Sequence, residues 1–251
     1  MRAPFRPLAI ISLSALAVAS KGEAQVKVAF TALAGSYLPA TDLLPLRTIP
    51  DYGSARVRQR ASLALGGRVT GWVTDRLAIE GSFGYSGSGV AQSAYIDEGL
   101  CPGLPCYVVA SSNAGGSVSM VGARLLFMVG GDPLGTAGYI MGGPAYVRWA
   151  DRAFSPCAPP ATILTCGTTV VGMTGGSPGV VVGIGARSKV TRTALTIRAD
   201  LEDYLYAARF SGQYGVTPGD PIGWSYSQMQ NDLLLSLGLS VAPSGHERAA
   251  P

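Results

Sequence analysis

Lysine and histidine are nearly absent from this chain. The only lysines are Lys21, Lys27 and Lys189, the single histidine is His246, and charged residues make up 14% of the 251 positions. Soluble domains carry roughly 25% charged residues, so we expect most of the exterior not to face water. The net charge of +4 is small and scattered, which argues against nucleic acid as a partner.

Long hydrophobic runs are missing as well. Beyond the N-terminal segment, no apolar stretch approaches the ~18 residues of a membrane helix. Hydrophobic residues nevertheless make up 47% of the chain, which also has 34 glycines and 17 prolines. The composition therefore predicts an apolar protein without spanning helices, built with many turns and closely packed strands.

The first two dozen residues have the organisation of a secretory signal peptide. Two arginines precede an apolar segment at 8–19, and small residues follow, so that cleavage is expected after Ala24 or after Ala19. The apolar segment is too short to favour the alternative, an uncleaved membrane anchor. We predict three parts: a signal peptide at 1–24, a folded domain at 25–242 and a polar tail at 243–251.

The four cysteines form two close pairs, each inside a Pro-rich stretch: Cys101 with Cys106, and Cys157 with Cys166. In an exported protein such pairs predict disulfides, and short loop closure favours the two local pairings among the three possible connectivities. A zinc site is the alternative. It is disfavoured because no histidine lies near either pair and the spacings are not those of zinc knuckles.

Eight segments of alternating character predict β-strands, separated by connections of two very different lengths. The connections after the second, fourth and sixth segments are short, and those after the other four hold roughly twenty to thirty residues that are rich in Gly, Ser and Pro. An even number of antiparallel strands with short turns at one end and long loops at the other is typical of a bacterial outer-membrane barrel. The segments are 26–37, 60–73, 77–87, 117–129, 137–149, 179–188, 193–208 and 228–241.

Successive residues of a strand face opposite sides of the sheet, and most of these segments have one continuously apolar face. The other face mixes small residues with isolated charges; only 137–149 and 179–188 are blurred by Gly and Val. A soluble carrier barrel of the lipocalin type would place the charged face in water, whereas a membrane barrel would place it in the lumen. The charged face is sparse, Arg-rich and nearly free of Lys, which favours the narrow lumen of an eight-stranded membrane barrel.

Aromatic residues near the predicted strand ends suggest the girdles that such barrels place at the two membrane interfaces. They are Tyr37, Trp72, Tyr85, Tyr139, Trp149, Tyr204, Tyr206, Trp224 and Tyr226.

Four stretches resemble the small outer-membrane β-barrel domain family, which includes OmpA-like and OmpX/Ail-like barrels: TDRLAIEGSFGY (74–85), AGYIMGGPAY (137–146), GVVVGIGARSKVTRTALTIRADLEDYLY (179–206) and NDLLLSLGLSV (231–241). The resemblance implies an eight-stranded antiparallel transmembrane barrel in the outer membrane of a Gram-negative-type bacterium, with short periplasmic turns and long extracellular loops. It also implies that both termini lie in the periplasm and that the barrel-assembly machinery inserts the chain. As partners we expect outer-membrane lipid and lipopolysaccharide, and we expect a monomer. One departure is that the last strand passes through Val241 into a polar tail, whereas family members often end on an aromatic residue.

The sequence offers no catalytic constellation and no cofactor site. His246 lies in the C-terminal tail, so the histidine that outer-membrane enzymes of this architecture use near the outer rim is missing. The G-x-S-x-G match at 175–179 lacks the strand-to-helix elbow and partner histidine of a hydrolase. We therefore expect no enzyme, no metal and no cofactor.

Side-chain alternation predicts a mixed-sign charge network in the lumen, because an unpaired charge there would be costly. We interpret this charge network as a structural plug of the lumen; the alternative is that it lines a gated narrow pore. We expect a non-enzymatic barrel with a structural or surface-interaction role through its long loops and an unidentified extracellular ligand; the alternative is a narrow pore or carrier for small or apolar solutes. The network residues are Arg68, Glu80, Arg124, Arg187, Arg198, Asp200, Glu202 and Asp232.

Overall fold

The computed structural model describes residues 27–49, 53–95, 110–131, 136–151, 174–190, 193, 195–215 and 221–241. All regular elements in these ranges are β-strands, and no helix there is long and apolar enough to cross a membrane. The twelve strands of the described ranges are β1 Lys27–Pro39, β2 Leu44–Ile49, β3 Gly53–Gln59, β4 Ser62–Trp72, β5 Leu77–Ser86, β6 Val90–Tyr95, β7 Ala110–Ala114, β8 Gly116–Gly131, β9 Ala137–Asp151, β10 Thr174–Lys189, β11 Leu195–Gly215 and β12 Pro221–Val241.

Eight of these strands close into an antiparallel barrel in the order β1-β12-β11-β10-β9-β8-β5-β4. They correspond to the eight predicted segments, and the predicted all-β fold is confirmed. Strands β10, β11 and β12 are longer than predicted, beginning or ending well beyond 179–188, 193–208 and 228–241.

The barrel strands are strongly staggered. When each residue is followed to its partner on the next strand, once around the barrel, the path starts at Leu38 of β1 and returns to Val28 of the same strand. Neighbouring strands are therefore offset along their length, and the strands must tilt by about 40° from the barrel axis. The path passes through Leu38, Leu233, Asp203, Val182, Gly142, Leu125, Ile79, Gly71 and Val28.

The two ends of the barrel differ. The strand ends that flank 73–76, 132–136 and 190–194, together with the start of β1 and the end of β12, lie at one end, which we call the turn end. The strand ends that flank the long connections lie at the opposite end, which we call the loop end. There, β2, β3, β6 and β7 form a second, four-stranded sheet in the order β2-β3-β6-β7.

This second sheet lies in two of the long connections, where the sequence pattern predicts no strands. Strand β3 runs into β4 after Gln59, β5 continues into β6 after Ser86, and β7 is followed at once by β8 at Gly116. The second sheet is therefore an extension of one side of the barrel wall. On the other side, β11 and β12 remain paired as far as Gly215 and Pro221, beyond the last pair that links β12 to β1, Pro39 with Asp232.

Two prolines lie inside barrel strands, away from the strand ends, where neither can donate a ladder hydrogen bond. The β10–β11 ladder ends at Gly179 and Tyr206, next to Pro178, and the hydroxyl of Ser177 donates to the Ala207 carbonyl at 2.5 Å. A serine side chain thus replaces the bond that the proline cannot make. At Pro144, the β8–β9 pairing likewise skips from Gly122–Ala145 to Leu125–Gly142.

Candidate functional site

The barrel has an apolar outer face and a filled lumen. Large exposed hydrophobic side chains alternate with buried ones along the barrel strands, and their exposed fractions run from 37% at Val28 to 67% at Leu63. Burial in a closed barrel of eight strands means that a side chain points into the lumen, which is only wide enough to be filled by side chains. The candidate functional regions are therefore the lumen and the loop end.

The lumen is filled in three layers. An apolar layer lies near the turn end, where Leu126, Met128 and Met141 pack with Ala78, Ala137, Tyr139 and the partly buried Trp72. Charged side chains occupy the middle. A second apolar layer lies toward the loop end and is rich in aromatic rings; its larger members are Tyr37, Leu43, Met120, Val147, Trp149, Tyr204, Tyr206 and Leu234.

The middle layer, which we call the ion network, holds three arginines and three carboxylates: Arg68, Arg124 and Arg198 with Glu80, Asp200 and Glu202. All six side chains are almost fully buried. Arg198 Nη1 lies 2.5 Å from Glu80 Oε2, Arg68 Nη1 lies 2.6 Å from Asp200 Oδ2, and Arg124 Nη1 lies 2.7 Å from Glu202 Oε1. Arg68 also contacts Glu202, and its Nη1 lies 3.7 Å from Glu80 Oε1.

Every carboxylate of the ion network therefore touches at least two arginines, and the charges balance. Buried charges need this pairing, since the cost of removing an isolated ion from water is several kcal/mol. Hydroxyl groups complete the network: Tyr204 donates to Glu202 at 2.9 Å, Thr70 donates to Glu80 at 2.6 Å, and Tyr139 hydrogen-bonds with Asp200.

Two of the eight residues named from the sequence lie apart from the ion network. Arg187 lies nearer the turn end, with its guanidinium carbon 5.1 Å from the ring centre of Trp72. Asp232 lies nearer the loop end, where the hydroxyls of Tyr206 and Tyr37 donate to its Oδ2 at 2.5 and 2.6 Å. The eight residues thus form one central cluster and two separate sites.

The aromatic-girdle prediction is wrong for most of the residues named. Tyr37, Tyr139, Trp149, Tyr204 and Tyr206 are buried in the lumen. Their positions near strand ends were compatible with a girdle, but their alternation places them on the inner face. Among the tyrosines whose side chains are described, Tyr85 and Tyr146 are exposed on the outer face. The side chains of Trp224 and Tyr226 lie outside the described part.

Several other predictions also lie outside the described residues. They concern the signal peptide at 1–24, the tail at 243–251 with His246, and all four cysteines. Among the described residues there is no group of three or more His, Cys, Asp or Glu side chains that could hold a metal ion.

Solved structures share this architecture. OprG from Pseudomonas aeruginosa has a TM-score of 0.52 and 11% identity, over 87% of this chain and 98% of that one. Neisserial surface protein A has a TM-score of 0.47 and 11% identity over 85% and 96% of the two chains. AlkL, solved in lipid bilayers, has a TM-score of 0.45 and 14% identity over 92% of this chain and 97% of that one.

No protein-family model matches the chain, and no curated protein matches it significantly in sequence. At these identities the structural likeness concerns the fold alone. The barrel closure, the strand order and the OprG comparison agree with the fold that the sequence resemblance implied. The chain has the fold of the small, eight-stranded outer-membrane β-barrels.

Proposed function

We propose that this chain is a non-enzymatic outer-membrane protein that acts through its loop end at the cell surface. The observation that carries the proposal is the second sheet, β2-β3-β6-β7, which extends the barrel wall at one end only. Binding residues are commonly presented on loops held by a rigid scaffold, and strands that continue directly from the barrel provide such a scaffold. The filled lumen makes transport the weaker alternative.

The outer face supports a membrane location. The strand segment from Leu195 to Leu201 presents Leu195, Ile197, Ala199 and Leu201 outward, and a tilted membrane strand needs about 9–11 residues. The next outward residue, Asp203, then falls near the membrane boundary. In this arrangement the turn end faces the periplasm and the loop end faces outward. Lipid, lipopolysaccharide and the barrel-assembly machinery are the partners that this location implies.

The proposal is tested by shortening the loop end. In the trimmed variant, short Gly-Asn turns replace 40–61 and 87–115, so that β1 connects directly to β4 and β5 to β8. The control variant replaces 132–135 at the turn end with the same turn. We expect both variants to show the heat-dependent gel shift of a folded barrel, and only the trimmed variant to lose adhesion of intact cells to host-cell and abiotic surfaces. Full adhesion by a folded trimmed variant would contradict the proposal.

A narrow pore or carrier for small or apolar solutes is the second candidate. It is favoured by the apolar lumen layer near the loop end and by the end of the β10–β11 ladder beside Pro178. Single-channel recording in planar bilayers separates the two candidates. A plugged lumen predicts no stable open level in the intact protein, whereas a reproducible open level that is lost on cross-linking the lumen would favour the pore.

A further inference from the structure

Asp232 is unlike the other carboxylates of the lumen. Glu80, Asp200 and Glu202 each touch arginines, whereas Asp232 accepts hydrogen bonds from the hydroxyls of Tyr37 and Tyr206. Its side chain is almost completely buried, at 1% exposure. Because the ion network is already neutral by itself, it leaves no surplus positive charge for Asp232.

The hydrogen bonds around Asp232 leave atoms without partners. Both tyrosine hydroxyls point to Oδ2, and Oδ1 has no hydrogen-bond partner among the described residues. A buried carboxylate oxygen without a partner is costly, since it has lost its hydration and gained nothing in return.

A second hydrogen-bonding requirement that the described residues do not meet involves Gln59. The Tyr37 hydroxyl lies 3.1 Å from Gln59 Oε1 as well as 2.6 Å from Asp232 Oδ2, yet it has a single proton. Gln59 Nε2 is buried without a partner among the described residues. Exchanging the amide oxygen and nitrogen would let Nε2 donate to Tyr37, but it would leave the amide oxygen unpartnered instead.

With the Gln59 amide exchanged, two oxygen atoms, Asp232 Oδ1 and the Gln59 amide oxygen, have no donor among the described residues, and the group carries one negative charge. We propose that Asp232, Tyr37, Tyr206 and Gln59 form a binding site for a monovalent cation of the Na⁺ or K⁺ class. Oxygen ligands suit hard cations, and Ca²⁺ usually takes six to eight of them with more carboxylate charge than a single aspartate supplies. A monovalent ion would neutralise Asp232 and be coordinated by its Oδ1 and by the Gln59 oxygen.

The position of the site implies access from the loop end. Segment 40–43 lies against β12 on the loop-end side of Asp232. There Thr41 donates to Gln230 Oε1 at 2.9 Å, and Gln230 Nε2 donates to the Asp42 carbonyl at 3.2 Å. Leu43 packs into the apolar layer beside Tyr37. The segment thus covers the site, and an ion would enter from the outer medium when the segment moves.

The proposal is independent of the surface role, and the purified, folded barrel in detergent tests it. The temperature midpoint of the heat-dependent gel shift is measured in NaCl, KCl, RbCl and choline chloride at equal ionic strength. We expect one alkali cation to raise the midpoint over choline by about 3 °C, the effect of binding at several times its dissociation constant. Equal midpoints in all four salts would overturn the site.

Single substitutions test whether Asp232 and Gln59 bind the cation. Asp232→Asn should abolish the difference between salts, while Asp75→Asn, which makes the same charge change at an exposed position in a turn-end connection, should keep it. If Asp232→Asn fails to fold, Gln59→Leu serves instead, since it removes a ligand oxygen without adding a buried charge. Retained cation selectivity in either folded variant contradicts the proposal. Crystals grown with RbCl give a direct check, because the anomalous signal of Rb⁺ should lie beside Asp232 Oδ1.

Discussion

Trp72 and Arg187 meet across the full width of the barrel. They lie on β4 and β10, which stand four strands apart in either direction around the closed sheet, yet the guanidinium carbon is 5.1 Å from the ring centre of Trp72. Contact between opposite walls requires that the side chains span the lumen. The pair therefore closes the turn end below the ion network.

Replacing Trp72 should reveal how much its aromatic face contributes to the free energy of unfolding. Trp72→Leu removes the ring over Arg187 and part of the apolar layer, so we expect the free energy of unfolding to fall by about 2–4 kcal/mol. Trp72→Phe retains a ring and should lose less. Urea unfolding of the barrel in lipid vesicles measures both. A greater loss in the Phe variant than in the Leu variant would contradict the cation–π contribution.

Breaking the ion network should cost more than breaking an exposed ion pair. Glu202→Gln leaves Arg68 and Arg124 undercompensated in the lumen, which predicts a loss of about 3–5 kcal/mol in unfolding free energy. The partly exposed pair Arg58–Asp42 provides the control: Arg58 Nε lies 3.8 Å from Asp42 Oδ1, and the two side chains are 62% and 19% exposed. Asp42→Asn should cost less than about 1 kcal/mol.

A double-mutant cycle then isolates the contact between Arg124 and Glu202. If the two side chains interact directly, the double variant Arg124→Met with Glu202→Gln should cost at least about 1 kcal/mol less than the two single losses combined. Additive losses would contradict the 2.7 Å contact.

The sequence alone predicted the faces of the strands well because alternation is a local property of the backbone. Arg68, Glu80 and Arg124 could be assigned to one side from the residues beside them. Which charges touch could not be predicted, because contacts across the lumen depend on the stagger of all eight strands. Arg68 and Glu202, for example, are 134 positions apart in the chain.

Two features were missed for different reasons. The lumen aromatics were assigned to girdles from their nearness to strand ends, although the alternation in β1 and β11 would have placed Tyr37 and Tyr206 inside. The second sheet has no comparable local signal. Its strands are short, β7 is the sequence ASSNA, and the central pairing, β3 with β6, joins segments 31 to 41 positions apart in the chain.

The lipid-facing side of β12 provides a test of orientation. Leu237 is 65% exposed and pairs with Ala199, about midway along the spanning part of β11. Leu237→Arg should destabilise the barrel in vesicles by about 2–4 kcal/mol, as expected for an arginine near the bilayer centre. Met229 is 62% exposed on the same face nearer the loop end, and Met229→Arg should cost about 1 kcal/mol or less. Equal losses would contradict the position of the membrane.

The predicted cysteine pairings can be checked by alkylation and peptide mapping. The sequence predicts Cys101–Cys106 and Cys157–Cys166. We expect the protein purified from the outer-membrane fraction to resist alkylation until it is reduced, and peptide mapping under non-reducing conditions to recover each local pair. Free thiols, or a peptide that joins the two stretches, would contradict the prediction.

The end of the β10–β11 ladder should depend on Pro178 and Ser177. Pro178→Ala restores an N–H that can donate to the Ala207 carbonyl, so the ladder should extend by one bond and slow amide hydrogen exchange in β10 and β11 beside it. Ser177→Ala removes the hydroxyl that bonds this carbonyl at 2.5 Å and should accelerate the exchange. In the double variant the new N–H replaces the lost hydroxyl, so exchange should slow relative to Ser177→Ala alone. Unchanged exchange in all three variants would mean that the proline does not determine where these two strands separate.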